Sequence, residues 1–366
     1  MEQAPKGAGL GIVTAPAILH RRTRLQPLRL QTIKTLAVAG LLLLAGCTPR
    51  NEVVVYAALD REFSEPVLEQ FSQTSGIRVL PKYDIESTKT VGLTQALIGE
   101  ASRPRCDVFW NNEILNTLRL KNRGLLDVYH SPAAEAYPAM YRDTAGLWHG
   151  FAGRARVLLV NDKLVSGAEQ PTSIYDLADP KWKGRVGLAK PLFGTTATHV
   201  ACLFVALGPP KAKEYFRSLK QNEVRVFTGN KQLAEAVARG EIAFGLTDTD
   251  DAIIEVEQGQ RVTIVYPDRN SDQLGTLFIP NTLAIIKNGP NPVAARKLVD
   301  HLLSPAVEEF LARGPSAQIP LNPQVETLPR VETPKTVKAM QVDFEAAARQ
   351  WDAAAHFIQD EFLAVE

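Results

Sequence analysis

Val53-Val54-Val55-Tyr56-Ala57-Ala58-Leu59-Asp60 is the stretch on which the fold turns. Three valines and a tyrosine favour a strand. The run is apolar throughout instead of alternating, which marks a strand covered on both faces. From Glu62 to Thr74 the period changes to that of a helix, with Phe63, Val67, Leu68 and Phe71 on one face and Gly76 as the stop. Ile77–Leu80 reads as a second strand, Lys89–Glu100 as a second helix, Asp107-Val108-Phe109-Trp110 as a third strand and Ile114–Lys121 as a third helix. Strands joined through helices must run parallel, because a hairpin cannot connect them. The expected class is therefore α/β, with mixed, mostly parallel sheets.

A second series begins near Arg156. Strands are expected at Val157–Val160, Val186–Leu188, Glu223–Phe227, Ala243–Leu246 and Val262–Tyr266, with a long one at Thr276–Lys287. Helices are expected at Thr195–Leu207, Lys211–Leu219, Lys231–Arg239, Ala252–Gln258, Pro292–Leu303 and Ala306–Ala312. The tail from Thr333 to Leu363 reads as helical from its Ala, Glu, Phe and Leu content.

On the N-terminal side, Leu44-Ala45-Gly46-Cys47 closes an apolar run that starts at Thr35 and follows five basic residues from Arg21 to Lys34. A basic segment, a short apolar core and a small-residue cleavage site form a secretory signal. Ending in cysteine, it resembles a bacterial lipoprotein signal, with acylation of Cys47 and cleavage before it. The expected organisation is a signal peptide over 1–46, a short tether over 47–51 and a protein held to a membrane only by lipid, outside the cytoplasm. The leader takes six of the 41 basic residues and one of the 40 acids, so the mature chain carries a net charge of −4. Such a balance argues against nucleic acid as a partner. Cys106 and Cys202 each lie in an apolar stretch and are expected as two buried thiols.

Residues just beyond the strand ends are where α/β lobes bind ligands. Here they are Asp60, the run Glu86-Ser87-Thr88, and Asn112-Glu113 in the first series. In the second they are Thr195-Thr196 and the group Asp248, Asp250 and Asp251. Each loop taken alone has the chemistry of a helix N-cap. Asp250-Asp251 exceeds what one cap needs.

Six segments in order resemble the extracellular solute-binding proteins of ABC importers, in the iron(III)-binding branch. They are residues 53–60, Tyr-Asp-Ile-Glu-Ser-Thr-Lys-Thr (83–90) and Asp-Val-Phe-Trp-Asn-Asn-Glu (107–113). Further on are Asp-Leu-Ala-Asp-Pro-Lys-Trp-Lys-Gly-Arg-Val (176–186), Gly-Thr-Thr-Ala-Thr (194–198) and Ile-Pro-Asn-Thr-Leu-Ala-Ile-Ile-Lys (279–287). The resemblance implies a type II periplasmic-binding fold with two lobes, 52–152 plus 280–366 and 153–279, joined by two crossing hinge strands. It implies a monomer that works with a permease and an ATPase, closing its cleft over ligand and catalysing nothing.

In iron(III) members of that branch a tyrosine pair ligates the metal. Here its place is taken by Asp250-Asp251, that of an assisting histidine by Asp60, and that of a glutamate by Asn112 or Glu113. The metal ligands the resemblance implies are thus Asp60, Glu113, Asp250 and Asp251, a set of hard oxygens. No cofactor is expected; iron(III) or another metal would be cargo. Thr195 and Thr196 open a helix at the place where relatives hold an anion, and free N–H groups suit that chemistry. A phosphorylated, phosphonate or carboxylated molecule, with or without a metal, and an organic cation remain open as cargo. A lipid-anchored hydrolase using the cleft carboxylates is the alternative from another class, although no serine elbow, phosphate loop or His-x-x-x-His pair occurs.

Overall fold

The computed structural model describes residues 51–84 and 90–364. The expectations at Cys47 and at Glu86, Ser87 and Thr88 fall outside the described residues.

Strand β1 (Glu52–Ala57) lies between β2 (Arg78–Tyr83) and β3 (Val108–Asn111), parallel to both. Helix α1 (Arg61–Ser75) buries Phe63, Val67, Leu68 and Phe71, and Gly76 ends it in the left-handed conformation. Each of those side chains contributes roughly 1.5–3 kcal/mol by leaving water. Helices α2 (Val91–Gly99) and α3 (Leu115–Asn122) complete the first series.

Strand β4 spans His149–Asn161, thirteen residues that are all buried. The expected strand covered only its last third. Its first half pairs antiparallel with β9 (Phe278–Ile285), and its second half pairs with β7 (Phe244–Asp248) and β8 (Val262–Val265). One long strand therefore belongs to both lobes of the fold. The register shifts between Phe151 and Gly153. Between them Ala152 takes φ +43°, a conformation costing a non-glycine residue roughly 1–2 kcal/mol. It is held at both ends: its N–H donates to Glu308 Oε1 at 2.6 Å, and its carbonyl accepts from Asn281 Nδ2.

Beyond β4 come β5 (Val186–Ala189), α4 (Gly194–Ala206), α5 (Pro209–Gln221), β6 (Arg225–Phe227), α6 (Asn230–Ala238) and α7 (Thr249–Glu257). The full order is β2-β1-β3-β9-β4-β7-β5-β6, with β8 also on β4. β5 runs parallel to β6 and β7; antiparallel pairing enters only with β4 and β9. A Cβ on Gly245 would lie 2.8 Å from the Leu233 side chain. Glycine there lets α6 sit directly on the sheet, and that seat fixes the position of Asn230 at its first turn.

Helices α8 (Pro292–Leu302), α9 (Pro305–Arg313) and α10 (Phe344–Phe357) close the chain. α10 packs on α3 and on α4, one helix from each series. The tail is not helical over Thr333–Val342, contrary to its composition: Pro334 interrupts it, and the segment instead runs past β9, with Met340 N–H bonded to the Thr276 carbonyl at 2.8 Å. Cys106 and Cys202 are free, buried thiols, as expected. No described helix is long and apolar enough to cross a membrane.

Candidate functional site

Helix α7 starts three residues earlier than its apolar period suggests, so Asp250 and Asp251 lie in its first turn and Asp248 is its N-cap. Asp248 makes no capping bond. Its carboxylate faces Arg156, its direct register partner across the β4–β7 pair, at 2.7 Å. Thr195 Oγ1 donates to Asp248 at 2.5 Å and Asn230 Nδ2 donates at 2.9 Å. Arg156, fully buried, also reaches Thr195 Oγ1, Thr196 Oγ1 and Asn230 Oδ1 at 3.1–3.2 Å. This network fastens the starts of α4, α6 and α7 to β4.

Two residues earlier on the same face of β4 stands Arg154, as the two-residue period of a strand requires. Its guanidinium pairs with Asp250 Oδ2 at 3.2 Å and donates to Asn281 and Gln318 at 3.2 and 3.3 Å. Gln318 Nε2 donates to Asp250 at 3.2 Å. The carboxylate oxygens of Asp248, Asp250 and Asp251 offer atoms within 4.8 Å of one another, the one such group of possible metal ligands among the described residues, and all three residues are buried. Crowding three acids is tolerable because two guanidinia stand against them.

The other expected residues lie around this group with differing roles. Thr195 and Thr196 are buried and spend their hydroxyls on the network just described. What the start of α4 leaves for a ligand is its backbone: neither Phe193 nor Gly229, the N-caps of α4 and α6, supplies a side-chain capping bond. A small cavity lies at these two helix ends, lined by Thr228, Lys190 and Asn230 and by Asn112 from the loop after β3. Two uncapped N-termini facing one cavity favour an anion. Asn112 Oδ1 accepts from Thr90 Oγ1 at 2.8 Å.

Glu113 is fully buried, and its carboxylate already accepts four hydrogen bonds. They come from Asn111 Nδ2, the N–H groups of Leu115 and Asn116, and Thr198 Oγ1 at 2.8 Å. The last of these ties the loop after β3 to α4. Asp60 is the N-cap of α1 without a side-chain cap bond. Lys231 of α6 reaches across to Glu62 of α1 at 3.0 Å. Its pKa is raised by that bond first, then by the charges of Glu62, Asp60 and Asp251, which places Asp60 and Asp251 near one ammonium.

Arg154, Arg156, Lys231, Asn281 and Gln318 were not singled out as ligand residues from the sequence, whereas Asn230 lies in the loop Thr228-Gly229-Asn230, which stands beyond a strand end like the others. A signal for the arginines existed: two of them two residues apart at the head of an apolar strand are costly unless acids meet them. Two of the tyrosines that flank strand ends are engaged elsewhere. Tyr56 donates to Glu100 at 2.9 Å, and Tyr266 accepts from the Glu332 N–H at 2.9 Å. Burial pushes the Tyr266 hydroxyl up to about 12. Trp110 is a core residue packed on Phe151, with ring centroids 5.4 Å apart.

The "Major ferric iron-binding protein" of Neisseria meningitidis serogroup A is 26% identical over 326 residues, covering 85% of this chain and 95% of its own length. "Iron uptake protein A1" of Synechocystis is 26% identical over 291 residues, covering 75% and 79%. Among solved structures, iron-bound HitA from Pseudomonas aeruginosa superposes with a TM-score of 0.76 at 22% identity, covering 84% of this chain and 98% of that one. The periplasmic binding protein AfuA from Actinobacillus pleuropneumoniae, with fructose-6-phosphate bound, also gives 0.76, at 24% identity, covering 86% and 99%. These likenesses establish the two-lobed binding-protein fold. The family model described as bacterial extracellular solute-binding protein matches residues 116–346, and the chain belongs to that family.

Proposed function

We propose that this chain is the cargo-capturing component of an ABC importer, anchored through lipid on Cys47, and that its cargo is ferric iron held with a small oxyanion. The lobes, 52–152 plus 280–366 and 153–279, would close over the cargo by bending at Phe151–Arg154 and Leu277–Pro280. A permease and an ATPase are the partners such a capture protein serves. One observation carries the iron reading: the buried oxygens of Asp248, Asp250 and Asp251 converge within 4.8 Å beside two uncapped helix N-termini. Carboxylates are hard ligands suited to a hard cation. An anion at the start of α4 would supply the remaining charge and face Arg156. The curated relatives named for iron support the same cargo.

A second reading rests on the arginines. Arg156 and Arg154 already offset Asp248 and Asp250, which lowers the attraction for a bare cation. A phosphorylated small molecule would seat its phosphate at the α4 and α6 ends and offer hydroxyl or amino groups to Asp251.

Calorimetric titration with ferric nitrilotriacetate, with and without phosphate, and separately with fructose 6-phosphate, decides between them. The iron reading expects one ferric ion per chain, tighter with phosphate, without the visible colour of a phenolate–iron bond. Saturable binding of the sugar phosphate alone would replace iron by the second reading.

A further inference from the structure

A second cavity, of about 410 Å³, lies away from the aspartate cluster, lined by His130, Ser131, Glu135, Arg142, Thr144 and His149 among others. Its size is within the range of small-molecule sites. Two of its side chains hold unspent hydrogen-bonding atoms of opposite kind.

His149, on the first residue of β4, is 6% exposed. Its Nε2 lies 2.9 Å from the Tyr129 carbonyl. A carbonyl only accepts, so Nε2 carries the hydrogen and Nδ1 is left as a bare acceptor. Burial lowers the pKa of the ring, which keeps it neutral. Nδ1 is buried and has no partner. Arg142 presents the complement. Its Nε is buried without an acceptor, and no carboxylate pairs with its guanidinium among the described residues. The nearest acid in sequence, Asp143, is taken: one oxygen accepts from Lys121 at 2.6 Å and the other from the N–H groups of Ala145 and Leu147 at 3.1 Å.

The backbone sets the spacing of the pair. Arg142 and His149 face each other in an antiparallel bridge, and Asp143 N–H donates to the Trp148 carbonyl at 3.1 Å. Residues directly opposite put their side chains on the same face, with Cβ atoms about 5 Å apart. A cationic donor and a neutral acceptor thus stand side by side in the lining of one cavity, with Nε and Nδ1 just beneath its surface.

We propose that this cavity is a second ligand site, for a small carboxylate bearing a hydrogen-bond donor on its α-carbon. The carboxylate meets the Arg142 guanidinium, and the α-hydroxyl or α-ammonium donates to His149 Nδ1. Arginine suits the planar carboxylate, which takes two N–H groups at once. Buried acceptors discriminate against a molecule that leaves them unmade, because it forfeits their hydration without replacing it.

L-Lactate, L-alanine and propionate test this directly, being three-carbon carboxylates that differ only in the α-substituent. The full chain is titrated with each while the imidazole signals of its histidines are followed by NMR, with His149→Gln assigning the His149 signal. Lactate or alanine is expected to shift that signal saturably in the millimolar range, with propionate about tenfold weaker or more. Whichever of the two binds tighter identifies the donor as hydroxyl or ammonium. Arg142→Gln should abolish saturation while leaving the unliganded His149 signal in place. The double change Asp250→Asn with Asp251→Asn should leave the titration unaltered, which separates this site from the interlobe cleft. Equal binding of propionate, no saturation by lactate or alanine in the millimolar range, or undiminished binding to Arg142→Gln would overturn the proposal.

Discussion

Replacing Arg156 by Met tests whether the acids of the cleft are built into the fold. Arg156 is fully buried and Asp248 is 3% exposed. The guanidinium bonds Asp248 at 2.7 Å and three further side chains within 3.2 Å. Met fills a similar volume but donates nothing. Asp248 would keep Thr195 and Asn230 as donors yet lose its counter-charge, and breaking a buried pair from one side costs about 3–5 kcal/mol. Unfolding entropy near 2.1 cal/mol/K per residue, over a mature chain of about 320 residues, is roughly 0.7 kcal/mol/K. The melting temperature should therefore fall by roughly 4–7 °C. Adding Asp248→Leu removes the stranded charge, so the double variant should melt above the level that summing the two single changes gives. Thermal melts at neutral pH, followed by circular dichroism, measure all four proteins. An Arg156→Met melt within a degree of the parent, or strict additivity in the double variant, would refute the structural role of the pair.

Three other outcomes follow from the structure. His199 is a buried residue of α4, and burial first, then the Arg156 charge, pulls its pKa down to about 3. A folded pKa below the unfolded 6.5 means stability present at neutral pH and lost as pH falls, about 2 kcal/mol between pH 7.5 and 5; His199→Gln should flatten the urea-derived stability profile over that window, and an unchanged slope counts against it. Thr198→Val removes the hydroxyl that ties α4 to Glu113, so small-angle scattering of the unliganded protein should show a larger radius of gyration, and an identical curve would contradict a latch at that contact. Cys47→Ala should abolish fatty-acid labelling and membrane retention; a variant still labelled and retained would end the lipoprotein reading.

Much of the fold was legible because apolar period and strand length agreed locally. β1 and α1 are found within a residue of their expected bounds, since Val53–Ala57 and the Phe63–Phe71 face obey one period each. β4 was seen only from Val157 onward. The part before Val157 carries His149, Gly150, Gly153, Arg154 and Arg156, which interrupt any apolar run, yet all are buried because two sheets share the strand. The same cause hid part of the site. Asp248, Asp250 and Asp251 stood out as surplus acids, but the guanidinia that balance them look, in sequence, like the ragged start of a strand. Asn281 and Gln318 join them only through tertiary contact, from positions more than a hundred and about seventy residues away. For Glu113 the sequence suggested a ligand oxygen, whereas the structure shows a carboxylate with four donors already in place.

The most direct test of the central claim is the cargo itself. Protein isolated from its native envelope should be examined by native mass spectrometry together with elemental analysis for iron and phosphorus. The account predicts one iron per chain, accompanied by the mass of a small oxyanion, and loss of both from Asp250→Asn with Asp251→Asn. Protein free of iron that carries an organic phosphate, or iron retained undiminished by the double variant, would contradict it.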